Sequence, residues 1–336
     1  MKLKNILFVV LSFVSFQVKA QDPVFSQFSL IPETLNPGFT GFQYNWRAGI
    51  IHKRQWPDGN RVIDTDFGFL NKMVGEHAAL GITVLNNREA YTNYNYLQVN
   101  AAYSYKVELD YEWSIRPALE VGFGSKSYNF RNLLLEDQIN GNTGEIDGGT
   151  VDPGVLGQKN NINFVDISAG FIVDNSVGWF GASIKHLNRP NISYLDGGNE
   201  PLDLFLSIHS GYAFDIDDSP SSILPDESKL LVNLNYMRQS QFNRLDIGGA
   251  LKFKQLLFGA NLVTNPEGKS ANSHLITSVN PYVSVHFGDF NFGYSYDIST
   301  SKLGHTQGIH EISLTWQLRF CESCVATVNK YYDYDK

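Results

Sequence analysis

The sequence predicts an all-β fold, a transmembrane antiparallel β-barrel of about fourteen strands with both termini in the periplasm. Two observations support this prediction. Large apolar residues alternate with polar residues in segment after segment, and long connections alternate with short ones along the chain. The first pattern is typical of strands with one apolar face. The second is typical of a barrel that keeps its periplasmic turns short.

The start of the chain predicts export. Lys2 and Lys4 precede an apolar run from Ile6 to Phe16, and the residues that end at Ala20 fit a small-residue cleavage site. We therefore expect 1–20 to be a signal peptide. No apolar run approaches the roughly 18 residues of a transmembrane helix. The expected location is the cell outer membrane, as an integral multi-pass barrel.

The next segment, 21–43, differs from the rest of the chain in composition and lacks the period-two alternation. Its prolines forbid a regular helix or a central strand, whereas its phenylalanines favour burial. Such an irregular segment is expected either against the periplasmic mouth of the barrel or inside the lumen as a plug. An ordinary leader into the first strand is the alternative.

The barrel itself is expected over 44–320, where period-two alternation recurs and no long helical periodicity interrupts it. The predicted strands are Tyr44–His52, Arg61–Phe69, His77–Asn86, Tyr94–Val107, Trp113–Ser127, Phe164–Asp174, Val177–Leu187, Asp203–Asp215, Lys229–Arg238, Phe242–Lys254, Leu256–Thr264, His274–Phe287, Phe290–Ile298 and His310–Phe320.

The last predicted strand shows the alternation clearly. Ile312, Leu314 and Trp316 are large and apolar, while the residues between them are polar. A soluble β-sandwich would also contain such strands. In lipid, however, an open sheet edge is not tolerated, so the last strand is expected to pair with the first.

Connection lengths favour the barrel over the sandwich. Connections from even to odd strands are short, as at Gly288–Asp289, whereas odd-to-even connections include the acidic, glycine-rich Tyr128–Asn163. A sandwich has no reason for this alternation, but a barrel with periplasmic termini does. Ile216–Ser228 is the exception, because it is long on the side that should be short.

This exceptional connection is a candidate periplasmic docking element. Ile223 and Leu224 form an apolar pair between prolines, and Asp226 and Glu227 follow in an acidic surround. Apolar anchors with an acidic rim suit a basic partner. A solvated loop that is long by chance is the alternative.

Composition limits the function. A formal net charge of −8 argues against nucleic acid, which requires a basic face. The polar strand faces carry both signs of charge, which is typical of a salt-bridged interior, although a solute channel stays open as an alternative. The charged residues expected to point inward are Glu120, Asp166, Lys185, Arg244, Asp246, Lys252, Asp297 and Arg319.

No catalytic, cofactor or metal site is expected. The chain has no G-x-S-x-G nucleophile motif. Cys321 and Cys324 open a predicted periplasmic tail, 321–336, and form either an oxidised pair or an incidental one. A single C-x-x-C motif without a second ligand pair is insufficient for zinc.

Several motifs, in order along the chain, resemble the PorP/SprF family of type IX secretion system outer-membrane proteins in Bacteroidetes. They include "QDPVFSQF", "LNPGFTG", "HKRQWP", "FVDISAGFIV", "GASIKHLNRPNISY", "LNYMRQSQFNRLDIGG" and "GYSYDISTSKL". The residues that carry the resemblance, or that we expect to shape the fold, are Asp22, Pro23, Phe25, Ser26, Gln27, Asn36, Pro37, Gly41, Gln55, Trp56, His186, Pro190 and Asp297.

The resemblance implies a barrel that assists secretion or surface retention of cargo adhesins. Its expected partners are the C-terminal sorting domain of the cargo, the translocon, periplasmic components of secretion and gliding motility, and outer-membrane lipid. The alternative function is a passive channel for small or lipidic solutes.

Overall fold

The computed structural model describes most of the chain. The described residues are 21–42, 45–57, 62–128, 134–141, 143–146, 148–151, 157–216, 225, 228–267, 275–300, 308–318 and 329–332. Four predictions lie outside them: the signal peptide 1–20, the inward position of Arg319, the cysteine pair Cys321 and Cys324, and the docking residues Ile223, Leu224, Asp226 and Glu227.

Fourteen long antiparallel strands form one closed sheet, as predicted. They are β1 Trp46–Gln55, β2 Ile63–Val74, β3 Ala78–Glu89, β4 Tyr94–Tyr105, β6 Ser114–Ser127, β7 Asn161–Asp174, β8 Gly178–Lys185, β9 Phe205–Asp215, β10 Lys229–Gln239, β11 Phe242–Phe253, β12 Leu256–Thr264, β13 Ile276–Phe287, β14 Phe290–Ser299 and β15 Ile309–Leu318. A two-residue strand, β5 Val107–Glu108, pairs with the start of β6.

The barrel closes between its first and last strands. β1 and β15 pair in register from Trp46 opposite Leu318 to Gln55 opposite Ile309. β4 pairs directly with β6, and every other long strand pairs with its neighbours in the chain. No long strand therefore has a free edge, which meets the requirement that lipid imposes on a spanning sheet.

The two faces of the barrel have inverted polarity relative to a soluble protein. On β14 the Phe292 side chain points outward and is 51 % exposed, while Ser295 and Asp297 point inward and are buried. The same alternation continues through β15, where Ile312 faces outward and Glu311 inward. An apolar exterior around a polar interior is the arrangement of a membrane-spanning barrel.

In the described residues, no helix has the length and apolar character that crossing a membrane would need.

The connections segregate to two ends. One end, which we call the long-loop end, carries 128–160 and 186–204. The other, the short-turn end, carries tight turns such as 75–77 and 288–289 and the starting residue of β1. The predicted exception, 216–228, lies at the short-turn end, and its base closes with a hydrogen bond of 3.1 Å from Ile216 N to Ser228 O.

The first three strands are longer than the sequence predicts. β1 continues to Gln55, beyond the predicted end at His52, and β3 continues to Glu89, beyond Asn86. The backbone pairing persists there, as in Arg54 opposite Asp64. The alternation fades because both faces of these strand ends are polar, so the period-two signal is lost while the ladder continues.

We expect Phe292→Arg to impair assembly of the barrel. An arginine on the lipid-facing wall near mid-membrane costs about 2–4 kcal/mol, whereas Phe292→Leu keeps the wall apolar. The folded fraction in lipid vesicles across a urea titration measures the difference. Equal midpoints for the two variants would contradict the assignment of this face to lipid.

Candidate functional site

Residues 21–42, which we call the luminal segment, lie inside the barrel. Leu35 O accepts a hydrogen bond of 2.7 Å from Ser183 Oγ of β8, and Thr40 O accepts one of 2.6 Å from Ser104 Oγ of β4. At its other end the segment binds β14 and β15. These strands are far apart around the ring, and their bonding side chains face inward. A single segment can therefore contact all of them only if it lies inside the barrel.

Local sequence explains the irregular path of the segment. Pro32 and Pro37 each begin a short 3-10 turn, at Pro32–Thr34 and Pro37–Phe39. Proline suits a first-turn position because its missing N–H would have no partner there. Asn36 caps the second turn, with its Oδ1 accepting from Gly38 N at 2.8 Å. The chain therefore folds into compact turns that fit a narrow lumen.

The luminal segment supplies an apolar core to an otherwise polar lumen. Phe39 packs edge-on against Trp179 of β8, with ring centroids 5.2 Å apart, and against Tyr332 at 6.0 Å. Tyr331 and Tyr332 belong to the predicted tail, yet both are buried with Phe39 and Phe42. The described tail residues, 329–332, thus occupy the lumen at the short-turn end.

Glu311 of β15 anchors the N-terminal part of the luminal segment. Its carboxylate accepts hydrogen bonds from Ser26 N at 3.0 Å and from Gln27 N at 3.1 Å. Ser26 Oγ also donates to Asp297 Oδ2 of β14 at 2.6 Å, and Gln27 Nε2 donates to Ser295 Oγ at 3.2 Å. Charge-assisted bonds to backbone N–H groups are among the stronger ones in proteins. The structure thus brings together Ser26, Gln27 and Asp297.

His186 anchors the start of the luminal segment at the long-loop end. It is the first residue after β8 and is fully buried. Its Nε2 lies 2.6 Å from Asp22 Oδ2, and its Nδ1 lies 2.9 Å from Asp166 Oδ2 of β7. Burial lowers the pKa of the imidazole, but the two carboxylates outweigh this effect and raise the pKa to about 9. A charged imidazolium therefore links Asp22 to the barrel wall.

Asn36 fastens the segment to β7 and β8. Its Nδ2 lies 2.9 Å from Phe171 O and 3.1 Å from Ala182 O, within donating distance of both. Gly170 leaves the space that the Asn36 side chain occupies, because a Cβ there would lie 2.2 Å from Asn36 Oδ1. The side chain therefore fits a recess that the wall sequence provides.

The other residues singled out from the sequence have separate positions. Pro23 and Phe25 belong to the luminal segment, and Phe25 packs in its core. Gln55 and Trp56 end β1 at the long-loop end, and Pro190 O accepts a hydrogen bond from Leu202 N at 2.9 Å. These last three do not contact the anchors around Ser26 and Asn36 in any described hydrogen bond.

The lumen is filled through its middle. Wall residues that would line an open pore are instead fully buried. Asn235, Asp246, Asn280 and Glu311 are each 0 % exposed. The inward-facing charges expected from the sequence are among the described residues, apart from Arg319, and Asp246 pairs with Arg244 at 2.8 Å. Among the described residues, the luminal segment bonds to many of these wall groups, while other buried polar atoms, such as Asn235 Nδ2 and Asn280 Oδ1, have no hydrogen-bond partner.

Open space is found at the long-loop end of the luminal segment. A cavity of about 530 Å³, which we call the vestibule, is lined by Gln21, Asp22, Lys53, Glu89 and Arg244 among others. It combines both signs of charge with aromatic side chains. Within the described residues, no group of three or more His, Cys, Asp or Glu side chains is arranged to hold a metal.

Comparison with known proteins identifies the family. The family described as type IX secretion system membrane protein PorP/SprF matches 17–316. This chain belongs to the PorP/SprF family. The match includes the luminal segment and almost the whole barrel, so the family assignment applies to both parts of the chain. Among curated proteins, none matches the chain.

Solved structures similar to this PorP/SprF protein are membrane barrels. A mutant of the monoaromatic hydrocarbon channel TodX has a TM-score of 0.51 at 10% identity, covering 89% of this chain and 95% of that chain. Omp33 of Acinetobacter baumannii has a TM-score of 0.44 at 8% identity, covering 83% and 100%. At such identities the likeness to TodX shows the fold alone. Together, family and fold place the protein in the outer membrane.

Sequence reasoning missed two kinds of functional residue. Glu311 stands in an ordinary alternating strand, and nothing in its neighbourhood marks it as the acceptor for a distant segment. The buried pair of Arg47 and Glu33 likewise joins a strand to an irregular segment. The one signal in the sequence is that Glu311 and Arg47 are charged residues at inward positions of predicted strands. Such a position indicates that the charge needs a partner, but it does not indicate which residue the partner is.

We expect the Asp22 anchor to release at high pH. Because the folded pKa of His186 lies above its ordinary value, its stabilisation is complete below pH about 6.5 and is lost as the pH rises through about 9. A nitroxide label at position 21, in a Cys321→Ser/Cys324→Ser background, should become mobile over that range, as measured by electron paramagnetic resonance.

Two comparisons make this test specific. His186→Gln should leave the label mobile already at pH 7, while a label at Glu76→Cys, at the short-turn end, should not respond to pH. A label at position 21 that stays immobile in His186→Gln would refute the anchor.

Proposed function

We propose that this PorP/SprF protein is a closed docking barrel that receives or retains the C-terminal sorting domain of secreted adhesins, and that links this cargo to the translocon and the gliding machinery. The observation that carries the proposal is the filled lumen. A barrel whose interior is occupied by its own chain acts through its surfaces. The surface that its own hydrogen bonds hold in a defined arrangement lies at the long-loop end.

Two loops at that end form one unit, which we call the loop pair: 128–160 and 186–204. Lys159 N donates to Tyr194 O at 2.8 Å, and Lys159 Nζ lies 2.7 Å from Asp196 Oδ1. Gln158 and Leu195 form an isolated β-bridge, and the Tyr128 and Tyr194 rings lie 6.4 Å apart. Loops tied together in this way support a defined binding surface.

The loop pair exposes apolar side chains beyond the barrel. Ile139 and Ile146 face each other across a β-bridge and are 44 % and 63 % exposed, and Val151 is 75 % exposed. Acidic residues, including Glu136 and Glu145, stand beside them. Apolar groups with a polar rim are typical of protein interaction sites. We assign cargo binding to this surface, with the vestibule beside it.

The orientation follows the general habit of bacterial barrels. Their periplasmic turns are short and their outer loops long, so we place the long-loop end outside the cell and the C-terminal tail residues 329–332 at the periplasmic end. Gln21 and Asp22 then lie at the outer mouth, which differs from the periplasmic position that the sequence predicts for the N-terminus. The luminal segment then runs inward from the outer mouth at Asp22 to the periplasmic end at Phe42. We assign the translocon contact to the periplasmic end, including Ile223, Leu224, Asp226 and Glu227. Loss of co-purified periplasmic components on shortening 216–228 would support that assignment.

The alternative function, a passive solute channel, needs a continuous aqueous path. The buried wall residues Asn235 and Asn280 speak against one. The likeness to a hydrocarbon channel extends to the fold and gives no support for transport by this chain.

We expect Ile139→Asn/Ile146→Asn to reduce surface retention of a cargo sorting domain fused to a fluorescent protein. Removing two exposed apolar anchors at roughly 1 kcal/mol each should weaken cargo binding about thirtyfold and lower the retained cargo accordingly. Retention is measured by flow cytometry of intact cells, with the amount of folded barrel determined in parallel. Tyr91→Ser, at another exposed position of the same end, is the matched control. Equal retention in both variants would place cargo binding elsewhere.

A further inference from the structure

A cluster of charged side chains faces outward from the barrel wall on β1 and β2. His52 Nδ1 lies 2.7 Å from Asp66 Oδ1, and its Nε2 lies 3.8 Å from Asp64 Oδ1. Arg54 Nε lies 3.5 Å from the same Asp64 oxygen. We call these four residues the lateral patch. On β3, Asn86 stands opposite Asp66 and Arg88 opposite Asp64, which extends the polar surface by one strand.

The lateral patch reaches into the apolar band of the barrel. At the short-turn end of the same wall, the Lys72 ammonium lies over the Trp46 ring, a pairing suited to the membrane interface. From Trp46 to His52 the tilted strand rises roughly 15 Å, whereas the apolar band of such barrels is about 25 Å tall. The polar groups therefore begin below the expected upper edge of the band.

Other walls keep an apolar exterior over a greater height. On β6 the outward positions are apolar from Ile115 to Phe123, and on β7 from Val173 to Val165. On β1, only Ala48 and Ile50 separate Trp46 from the patch. The shortened band is thus a property of one wall.

A groove lies directly beneath the lateral patch. Gly68 provides no side chain between Ile50 of β1 and Val84 of β3, and a cavity of about 380 Å³ opens there on the outer wall. His52 and Asp66 form part of its polar rim. The wall therefore offers an apolar recess with hydrogen-bonding groups on one side.

Lipid matches this surface poorly. Acyl chains fill a groove but provide no hydrogen bonds, and polar groups facing hydrocarbon cost free energy. Lipid phosphates would meet the carboxylates of Asp64 and Asp66 beside the Arg54 guanidinium, so an anionic head group matches only part of the patch. A protein surface can supply both an apolar side chain and hydrogen-bonding groups of either sign.

We propose that the lateral patch and its groove bind the membrane-embedded wall of another outer-membrane protein. The partner places an apolar side chain over Gly68 and polar side chains against His52 and Asp66. This interface lies in the plane of the membrane, separate from the loop pair and from the periplasmic end. The proposal of a lateral interface therefore does not depend on the proposal of cargo binding.

The test places a photo-reactive p-benzoylphenylalanine in the groove, replacing Ile50, which is 62 % exposed. Irradiation of native outer membranes should yield a discrete adduct whose linked peptide belongs to a membrane-spanning strand of a different protein. The same probe in place of Val121, on β6 four strands away around the barrel, should yield at least fivefold less. His52→Leu/Asp66→Leu should reduce the Ile50 adduct at least fivefold, while the barrel inserts and folds normally in urea titration. Tyr103→Leu, on β4, should leave the adduct unchanged.

Three outcomes would overturn the proposal. Adducts with lipid alone at both probe positions would show that this wall contacts the bilayer and binds no protein. An adduct of twice the chain mass, made of two copies of this protein, would assign the patch to self-association. An adduct with another protein that persists in His52→Leu/Asp66→Leu would show that the patch does not hold it.

Discussion

Polar groups that turn into a barrel lumen need partners, and in this protein the luminal segment provides partners for several of the charged and amide side chains of the wall. Fourteen strands present alternating side chains to the interior, and many of these are amides, hydroxyls and charges. Unsatisfied, such groups are costly once water is excluded. Glu311, His186 and Asn36 meet this requirement by binding between the wall and the luminal segment. The apolar side chains of the segment pack against apolar wall residues such as Phe67 and Trp179, and together they form the largest apolar core of the described residues.

One short motif shows how inside and outside are divided. In "HKRQWP" the residues alternate across the wall of β1. Lys53 points inward, where its ammonium donates to Val24 O of the luminal segment. His52 and Arg54 point outward and bind Asp66 and Asp64. A single strand therefore helps to close the lumen on one face and forms the proposed lateral interface on the other.

Much of the fold follows from local pattern. Alternation predicts the strands, since each outward residue such as Phe292 must suit lipid, and closure follows because lipid tolerates no edge. The partner of an inward charge does not follow, because Asp22 and His186 are 164 residues apart in sequence and meet only through the barrel register. The proline-rich composition of 21–43 likewise leaves a periplasmic and a luminal position equally open. The lateral patch escaped notice because polar residues on both faces erase the alternation that reveals a strand.

The central claim is that the barrel is closed by its own luminal segment. Single-channel conductance of the chain from Gln21 to Lys336 in a planar lipid bilayer tests it most directly, with insertion verified independently by protection of the strands from protease. We expect no steady conductance above that of the bare bilayer at neutral pH. Stepwise, sustained conductance of the size of an open porin, from protein shown to be folded, would contradict the account.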